Sequence, residues 1–65
     1  MVVWVMKGTK TMRAVIWTSA PDPIDGYYVE LLGKHNVVEC AVWRATVSQC
    51  YQWAELNGAT DIKEN

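Results

Sequence analysis

Apolar and polar residues alternate with a period of two along most of this chain, and the period becomes helical near its C-terminus. The alternation predicts strands at 2–6, 12–18, 27–32 and 37–43. A stripe of apolar residues at helical spacing then predicts one helix with a single apolar face, formed by Val47, Cys50, Tyr51 and Ala54.

Turn-forming residues separate the predicted strands. Residues 7–10 have the length and the glycine of a hairpin connection. Two prolines and the Asp25-Gly26 pair predict a long loop at 19–26. A second turn is predicted at 33–36, between the last two of these strands.

The helix has sequence signals at both ends. Thr46 and Gln49 have the spacing of a capping box, which predicts that the helix begins at Val47. Gly58 suits the left-handed position that follows a helix, and 60–63 can then form a short closing strand.

The pattern predicts an α+β fold with a small antiparallel sheet of three to five strands and one C-terminal helix packed on one face. We expect residues 1–65 to form a single small domain, in which 1–11 are an appended strand or a flexible start. Met1, Met6 and Met12 are each a possible translation start.

Strand periodicity assigns side chains to the two faces of this sheet. Val38, Cys40 and Val42 share a uniformly apolar face, which we assign to the helix side, so that Cys40 and Cys50 would both line the core. The second face is also apolar, since it carries Trp43 and Tyr28 together with either the Trp17 set or the Ile16 set of the first long strand.

This second apolar face needs a cover that one short helix cannot supply. Trp53 and Leu56 also lie off the predicted core stripe of the helix. We therefore expect a protein interface, either with another protein or in a homo-oligomer such as a dimer, built from Trp43, Trp53, Tyr28, Leu56, Leu32 and Trp17. Alternatively, the N-terminal hairpin folds back over the open face and makes the monomer self-sufficient.

Composition and charge narrow the class of partner. The chain is 51% hydrophobic and carries a net charge of −1, so it should fold and has no basic excess to attract nucleic acid. Two cysteines are too few for a disulfide scaffold. The apolar start lacks the features of a signal peptide, and no run is long enough to span a membrane. We expect a cytoplasmic protein that acts without a membrane.

The residue types of known catalytic and metal sites do not occur in the required combinations. His35 is the single imidazole and falls in a turn, and the cysteines are predicted to be buried and inert. The carboxylate pairs Asp22 with Asp25 and Glu30 with Glu39 suit solvated positions better than acid–base chemistry. We expect no enzyme, no metal and no cofactor.

A ligand-binding alternative stays open. An oligomer could enclose a pocket in which aromatic rings stack a nucleotide-like ring while Arg13 or Arg44 pairs with its phosphate. Such a protein would sequester the small molecule without reacting with it.

The chain resembles the short accessory proteins with which bacteriophages inhibit host enzymes or defence systems. The shared features are brevity, the alternating strand Val37-Val38-Glu39-Cys40-Ala41-Val42-Trp43, and a helix that Arg44-Ala45-Thr46 opens and Trp53-Ala54-Glu55 ends. The short phage inhibitor of bacterial RNA polymerase has a similar order of strand, helix and strand. The resemblance implies an anti-defence or inhibitory protein of the host–virus interaction, which binds a bacterial protein in the host cytoplasm and blocks it.

Overall fold

The computed structural model describes residues 12–65, which form a four-stranded sheet with one helix against one of its faces. The elements in chain order are β1 (Met12–Asp22), β2 (Gly26–Leu32), a 3₁₀ turn (Lys34–Asn36), β3 (Val38–Arg44), α1 (Val47–Leu56) and β4 (Ala59–Glu64). The predicted α+β class and the C-terminal helix are confirmed. The predicted strand at 2–6 and its turn at 7–10 lie outside the described residues, and so does the predicted fold-back of that hairpin.

The strands lie in the order β3-β2-β1-β4. β1 pairs with β2 and β2 pairs with β3 in antiparallel fashion, as the hairpin signals predict. β4 instead runs parallel to β1, because α1 carries the chain back across the sheet before the last strand begins. The sheet is therefore mixed, although most of its pairing is antiparallel.

The connection from β1 to β2 is shorter than the predicted loop at 19–26. β1 continues to Asp22, which pairs with Gly26, and the pairing register shifts after Trp17 to accommodate the extra residues. The Asp22 carboxylate accepts the backbone N–H groups of Ile24 and Asp25 at 2.9 and 2.8 Å. These bonds close the turn and hold the pKa of the Asp22 carboxyl below its usual value.

Both predicted ends of α1 are confirmed. The Thr46 hydroxyl accepts the backbone N–H of Gln49 at 3.1 Å, which satisfies one of the donors that the first turn leaves unpaired. Gly58 follows the helix with a φ of 91°, in the region that glycine adopts without strain. The predicted stripe faces the sheet, because Cys50 and Ala54 are buried and Val47 and Tyr51 pack beside them.

The core lies between α1 and one face of the sheet. At its centre Ile16 of β1 pairs with Val29 of β2, and both are fully buried. This pairing settles which set of β1 side chains faces the helix, since Ile16 points inward and Trp17 therefore points outward. The buried cluster consists of Ala14, Ile16, Val29, Leu31, Cys50, Ala54 and Ala59.

A bulge in β3 changes the predicted assignment of its first residues. Leu31 pairs with Cys40 but Leu32 pairs with Val38, so Glu39 is an extra residue in the ladder. The bulge places Val38 opposite Leu32, and Val38 is exposed rather than packed under the helix. The predicted helix-side position of Val38 is wrong because a strict period of two does not survive an inserted residue.

The prediction that Cys40 lies in the core is also wrong, since Cys40 is exposed while Cys50 is fully buried. The physical reason is the path of α1, which begins just after the end of β3 and finishes beside the start of β1, where Ala59 pairs with Met12. A helix of 10 residues that crosses the sheet diagonally leaves the first half of β3 uncovered.

Candidate protein-binding face

The side of the sheet opposite α1 has no covering element among residues 12–65, and we call it the open face. Strand register assigns its members. They are Arg13, Val15, Trp17, Tyr28, Glu30, Leu32, Val38, Ala41, Trp43, Asp61 and Lys63. Four of the six predicted interface residues, namely Tyr28, Leu32, Trp17 and Trp43, therefore lie on one surface.

Three aromatic side chains form a row across the open face, which we call the aromatic row. Trp17 pairs with Tyr28, and Tyr28 pairs with Trp43, so the three residues lie side by side on adjacent strands. The rings of Tyr28 and Trp43 are 5.0 Å apart between centroids, with planes tilted by 50°. Trp17 and Trp43 are 40% and 44% exposed, whereas tryptophan side chains in folded proteins are on average largely buried.

Charges on the open face are balanced and lie away from most of the aromatic row. Glu30 follows the row on the central strand, and its carboxylate accepts the indole N–H of Trp17 at 3.2 Å. Arg13 and Asp61 pair on adjacent strands at the β4 side, and Lys63 pairs with Val15. The open face of the described residues therefore has apolar rings at one side and both signs of charge at the other.

The structure separates the other two predicted interface residues from the open face. Trp53 and Leu56 lie on α1, on the opposite side of the sheet. Trp53 is half-buried against the core cluster, so the prediction that it lies off the core stripe is wrong. Leu56 is 86% exposed, as the helical spacing predicts. The broad apolar stripe that α1 needs to cover a sheet includes Trp53, whereas Leu56 lies beyond it.

The two arginines of the ligand-binding alternative lie on different surfaces. Arg13 lines a small cavity of about 160 Å³ on the open face, with Leu32 and Lys63. Arg44 borders a separate concavity of about 280 Å³ on the helix side, with Trp53 and Leu56. Pockets for drug-sized ligands usually have volumes of about 300 to 1,000 Å³. Neither of these two cavities is lined by a residue of the aromatic row.

The described residues contain no group of three or more side chains that could hold a metal ion. Glu30 pairs with Ala41, so the two carboxylates of the candidate pair Glu30 and Glu39 do not lie directly opposite each other. Burial raises the pKa of the Cys50 thiol, and the nearby Arg44 charge offsets this only in part.

Sequence reasoning missed Asp61 and Lys63, which border the open face on β4. The signal was present, because Ile62 is the inward residue of a short alternating strand and its two neighbours must point the other way. The pattern did not indicate that β4 joins β1 rather than the edge formed by β3. This position places Asp61 beside Arg13 on the neighbouring strand.

Comparison with protein-family models, with curated proteins and with solved structures finds no match for this chain. In the part of the chain that the structure describes, no helix is long and apolar enough to cross a membrane. The fold and the open face therefore define the class, which is a small α+β domain with an aromatic sheet surface.

Proposed function

We propose that this chain is a small non-enzymatic binding protein that attaches to a bacterial protein through the open face and blocks it. The observation that carries the proposal is the aromatic row, in which Trp17, Tyr28 and Trp43 lie together on an uncovered sheet surface. Tryptophan and tyrosine are the residues most often found as binding anchors at protein interfaces.

Energetics supports a partner for this surface. A buried aromatic side chain removes about 150 to 250 Å² from water, worth about 25 cal/mol per Å² of apolar area. Complete burial of the partly exposed rings of Trp17 and Trp43 would therefore contribute several kcal/mol of binding free energy. This amount is comparable with the stability of a small domain. A protein target that covers the row would recover much of it.

The inhibitor class and the host cytoplasm as its place of action come from the resemblance to short phage proteins. One feature of the structure agrees with the inhibitor class. The open face is built on hydrogen-bonded strands, so it can cover a partner's surface with little movement of its backbone.

Affinity capture from a bacterial lysate with purified wild-type protein and matched variants tests the proposal. We expect Trp43→Ala and Trp17→Ala to weaken capture of the same partner, each by about 2 kcal/mol or more when the captured protein is purified and titrated. Leu56→Ala is the matched control, because this exposed side chain lies on the helix and should not affect binding.

Trp53→Ala completes the comparison because it removes a helix residue that packs against the core. It should lower stability more than it lowers the affinity of the folded fraction for the partner. Unchanged affinity in both Trp17→Ala and Trp43→Ala, with folding intact by circular dichroism, would remove the open face as the binding surface.

The alternative class is a homo-oligomer that sequesters a small nucleotide-like ligand. It would require the cavity beside Arg13 or the concavity beside Arg44 to be closed by another copy, since each is small in one chain. Native mass spectrometry separates the classes. A protein-sized adduct supports inhibition, whereas a small mass increment on an oligomer supports sequestration.

A further inference from the structure

The connection between α1 and β4 contains Asn57-Gly58, the one Asn-Gly pair in the sequence, and we call it the α1–β4 junction. Asn57 caps the helix, and Gly58 leads into Ala59, the first residue of β4. Both residues of the junction are exposed. Nothing lies within 4 Å of the position that a side chain on Gly58 would take. Water therefore reaches the Asn57 amide, and no neighbouring group crowds the Gly58 backbone.

An asparagine followed by glycine can react with its own backbone. The backbone nitrogen of Gly58 attacks Cγ of Asn57 and gives its proton to a solvent base, so that a bond forms between the two atoms. The bond from Cγ to Nδ2 breaks, and the side-chain nitrogen takes a proton from solvent and leaves as ammonia. Water then opens the cyclic imide at either carbonyl, which leaves an aspartate or an isoaspartate at position 57. Glycine favours this attack because it has no Cβ beside the attacking nitrogen.

The folded junction holds both reacting groups away from each other. Asn57 has a ψ of 12°, so the Gly58 nitrogen nearly eclipses the backbone nitrogen of Asn57 and is turned away from Cβ, which ring closure requires it to eclipse. The Gly58 N–H donates to the carbonyl oxygen of Glu55 at 3.1 Å. The Asn57 amide Nδ2 donates to the carbonyl oxygen of Trp53 at 2.8 Å. The attack therefore requires the last turn of α1 to release both groups.

We propose that Asn57 is a site of spontaneous deamidation, and that the hydrogen-bonded end of α1 suppresses the reaction until the α1–β4 junction opens. Helix ends open locally more readily than the core of a domain, so the site is protected but not permanently closed. This inference does not depend on the proposed target, because the junction lies outside the open face.

The product of the reaction should weaken the same junction. The new carboxylate has no N–H to donate to the Trp53 carbonyl, and it places a negative charge at the C-terminal end of a helix, where the helix dipole disfavours one. The last turn of α1 contains no basic residue to offset this charge. An isoaspartate also lengthens the backbone by one atom just before the buried Ala59. A molecule that has reacted once should therefore open more readily than before.

The first experiment compares the reaction in the native and in the unfolded full-length chain. Both samples are kept in the same mildly alkaline buffer made with isotopically labelled water, one of them in urea above the unfolding midpoint. Peptide mapping by mass spectrometry measures label at each asparagine. We expect Asn57 to react at least ~10-fold more slowly in the native protein. Equal rates in the two samples would overturn the protection by the junction.

Asn36 is the internal control for the reactive site. It is followed by Val37, whose branched side chain crowds the attacking nitrogen, so it should react much more slowly than Asn57 in urea. Similar rates at the two asparagines would remove Asn57 as a preferred site. Asn57→Gln is the matched variant, because its amide is one carbon further from the backbone, and it should abolish the reaction at this position.

Hydrogen exchange of the Gly58 amide tests whether opening controls the reaction. The same opening that frees this N–H from the Glu55 carbonyl must precede the attack. The native protein should therefore slow deamidation by at least the factor by which it slows exchange of this amide. A smaller slowing would mean that Asn57 reacts without opening of the junction, and it would overturn the proposal.

Asn57→Asp supplies the product with an ordinary backbone and tests the predicted weakening. Urea unfolding should show a folded-to-unfolded ratio about five-fold lower than in the wild type at neutral pH, since a charge is added and a donor is lost. Asn57→Gln should lower this ratio less, because it adds no charge. Equal stability of Asn57→Asp and the wild type would contradict the predicted effect of the reaction on the junction.

Discussion

Tyr28 and Trp43 lie side by side on β2 and β3, with ring centroids 5.0 Å apart and ring planes tilted by 50°. This tilted arrangement lets the edge of one ring approach the face of the other, which is the geometry that aromatic pairs prefer. The contact fixes the orientation of Trp43 even though much of its surface meets water. The aromatic row is therefore a preformed surface rather than a set of independent side chains.

A double-mutant cycle measures this contact. We expect Tyr28→Ala and Trp43→Ala to lower the free energy of unfolding less together than the sum of their separate effects, with a coupling of about 0.5 to 1.5 kcal/mol. Urea unfolding of the four proteins gives the value. Tyr28→Ala combined with Leu56→Ala is the control, because these residues lie on opposite sides of the sheet and their effects should add. Simple additivity for Tyr28 and Trp43 would contradict the structure.

Gly26 and Gly58 both have positive φ angles, 90° and 91°, but their surroundings differ. A side chain on Gly26 would collide with the backbone carbonyl of Arg44, whereas nothing lies within 4 Å of the same position on Gly58. Gly58→Ala should cost about 1 kcal/mol from backbone strain alone. Gly26→Ala should cost at least about 2 kcal/mol because β3 must also move. Equal losses in urea unfolding would show that Gly26 and β3 are not in this close contact.

The two thiols should differ strongly in reactivity. Cys40 is exposed, whereas Cys50 is fully buried under the helix, and burial raises the pKa of its thiol. A thiol reagent at neutral pH should therefore modify one cysteine rapidly and the second only after addition of denaturant. Cys40→Ser is the matched variant and should lose the rapid phase. Rapid modification of both cysteines in the native protein would mean that Cys50 is not in the core.

The hydroxyl of Tyr51 on α1 donates a hydrogen bond to Glu64 of β4 at 2.6 Å. This bond favours the neutral phenol and raises the pKa of Tyr51, with smaller contributions from burial and from the Glu64 charge. Because the pKa is higher in the folded state than its ordinary value of 10.0, the stabilisation is complete below that pH and is lost as the pH rises through the folded value.

Comparing the urea midpoints of the wild type and Tyr51→Phe between about pH 8 and pH 11 tests this linkage. The wild type should be the more stable protein at the lower pH, and the difference should shrink as the phenol ionises. Glu64→Gln is a useful partner variant, since its amide oxygen still accepts the bond but carries no charge. A difference that stays constant across the range would show that the Tyr51–Glu64 bond is not formed.

Most of the local structure could be predicted because it depends on neighbouring residues. Thr46 and Gln49 define the start of α1 through a hydrogen bond between residues three apart in the chain. Gly58 defines its end because it adopts a positive φ that other residues rarely adopt. The strand that contains Trp43 was predictable for the same reason, because the alternation of side chains between the two faces of a strand is visible within a few residues. Trp17, Tyr28 and Trp43 were accordingly recognised as candidates for an exposed aromatic surface.

The wrong predictions concern features that depend on how distant parts of the chain are arranged. An inserted residue at Glu39 moved Val38 to another position in the ladder, and a period of two does not reveal where a strand bulges. Trp53 packs against the core although it was expected to lie outside it, and Cys40 is exposed although it was expected in the core. Both differences arise because α1 crosses the sheet diagonally, covers its centre and leaves the start of β3 uncovered.

The sequence alone determined the element types, the helix ends and the excess of apolar side chains over the surface that one helix can cover. Only the tertiary structure decided that Ile16 faces the helix and Trp17 does not, that Trp17, Tyr28 and Trp43 form one row, and that Arg13 and Arg44 lie apart. The reason is physical. Periodicity records which residues share a face, but strand order, register and the course of the helix determine which face becomes the core and which residues of different strands become neighbours.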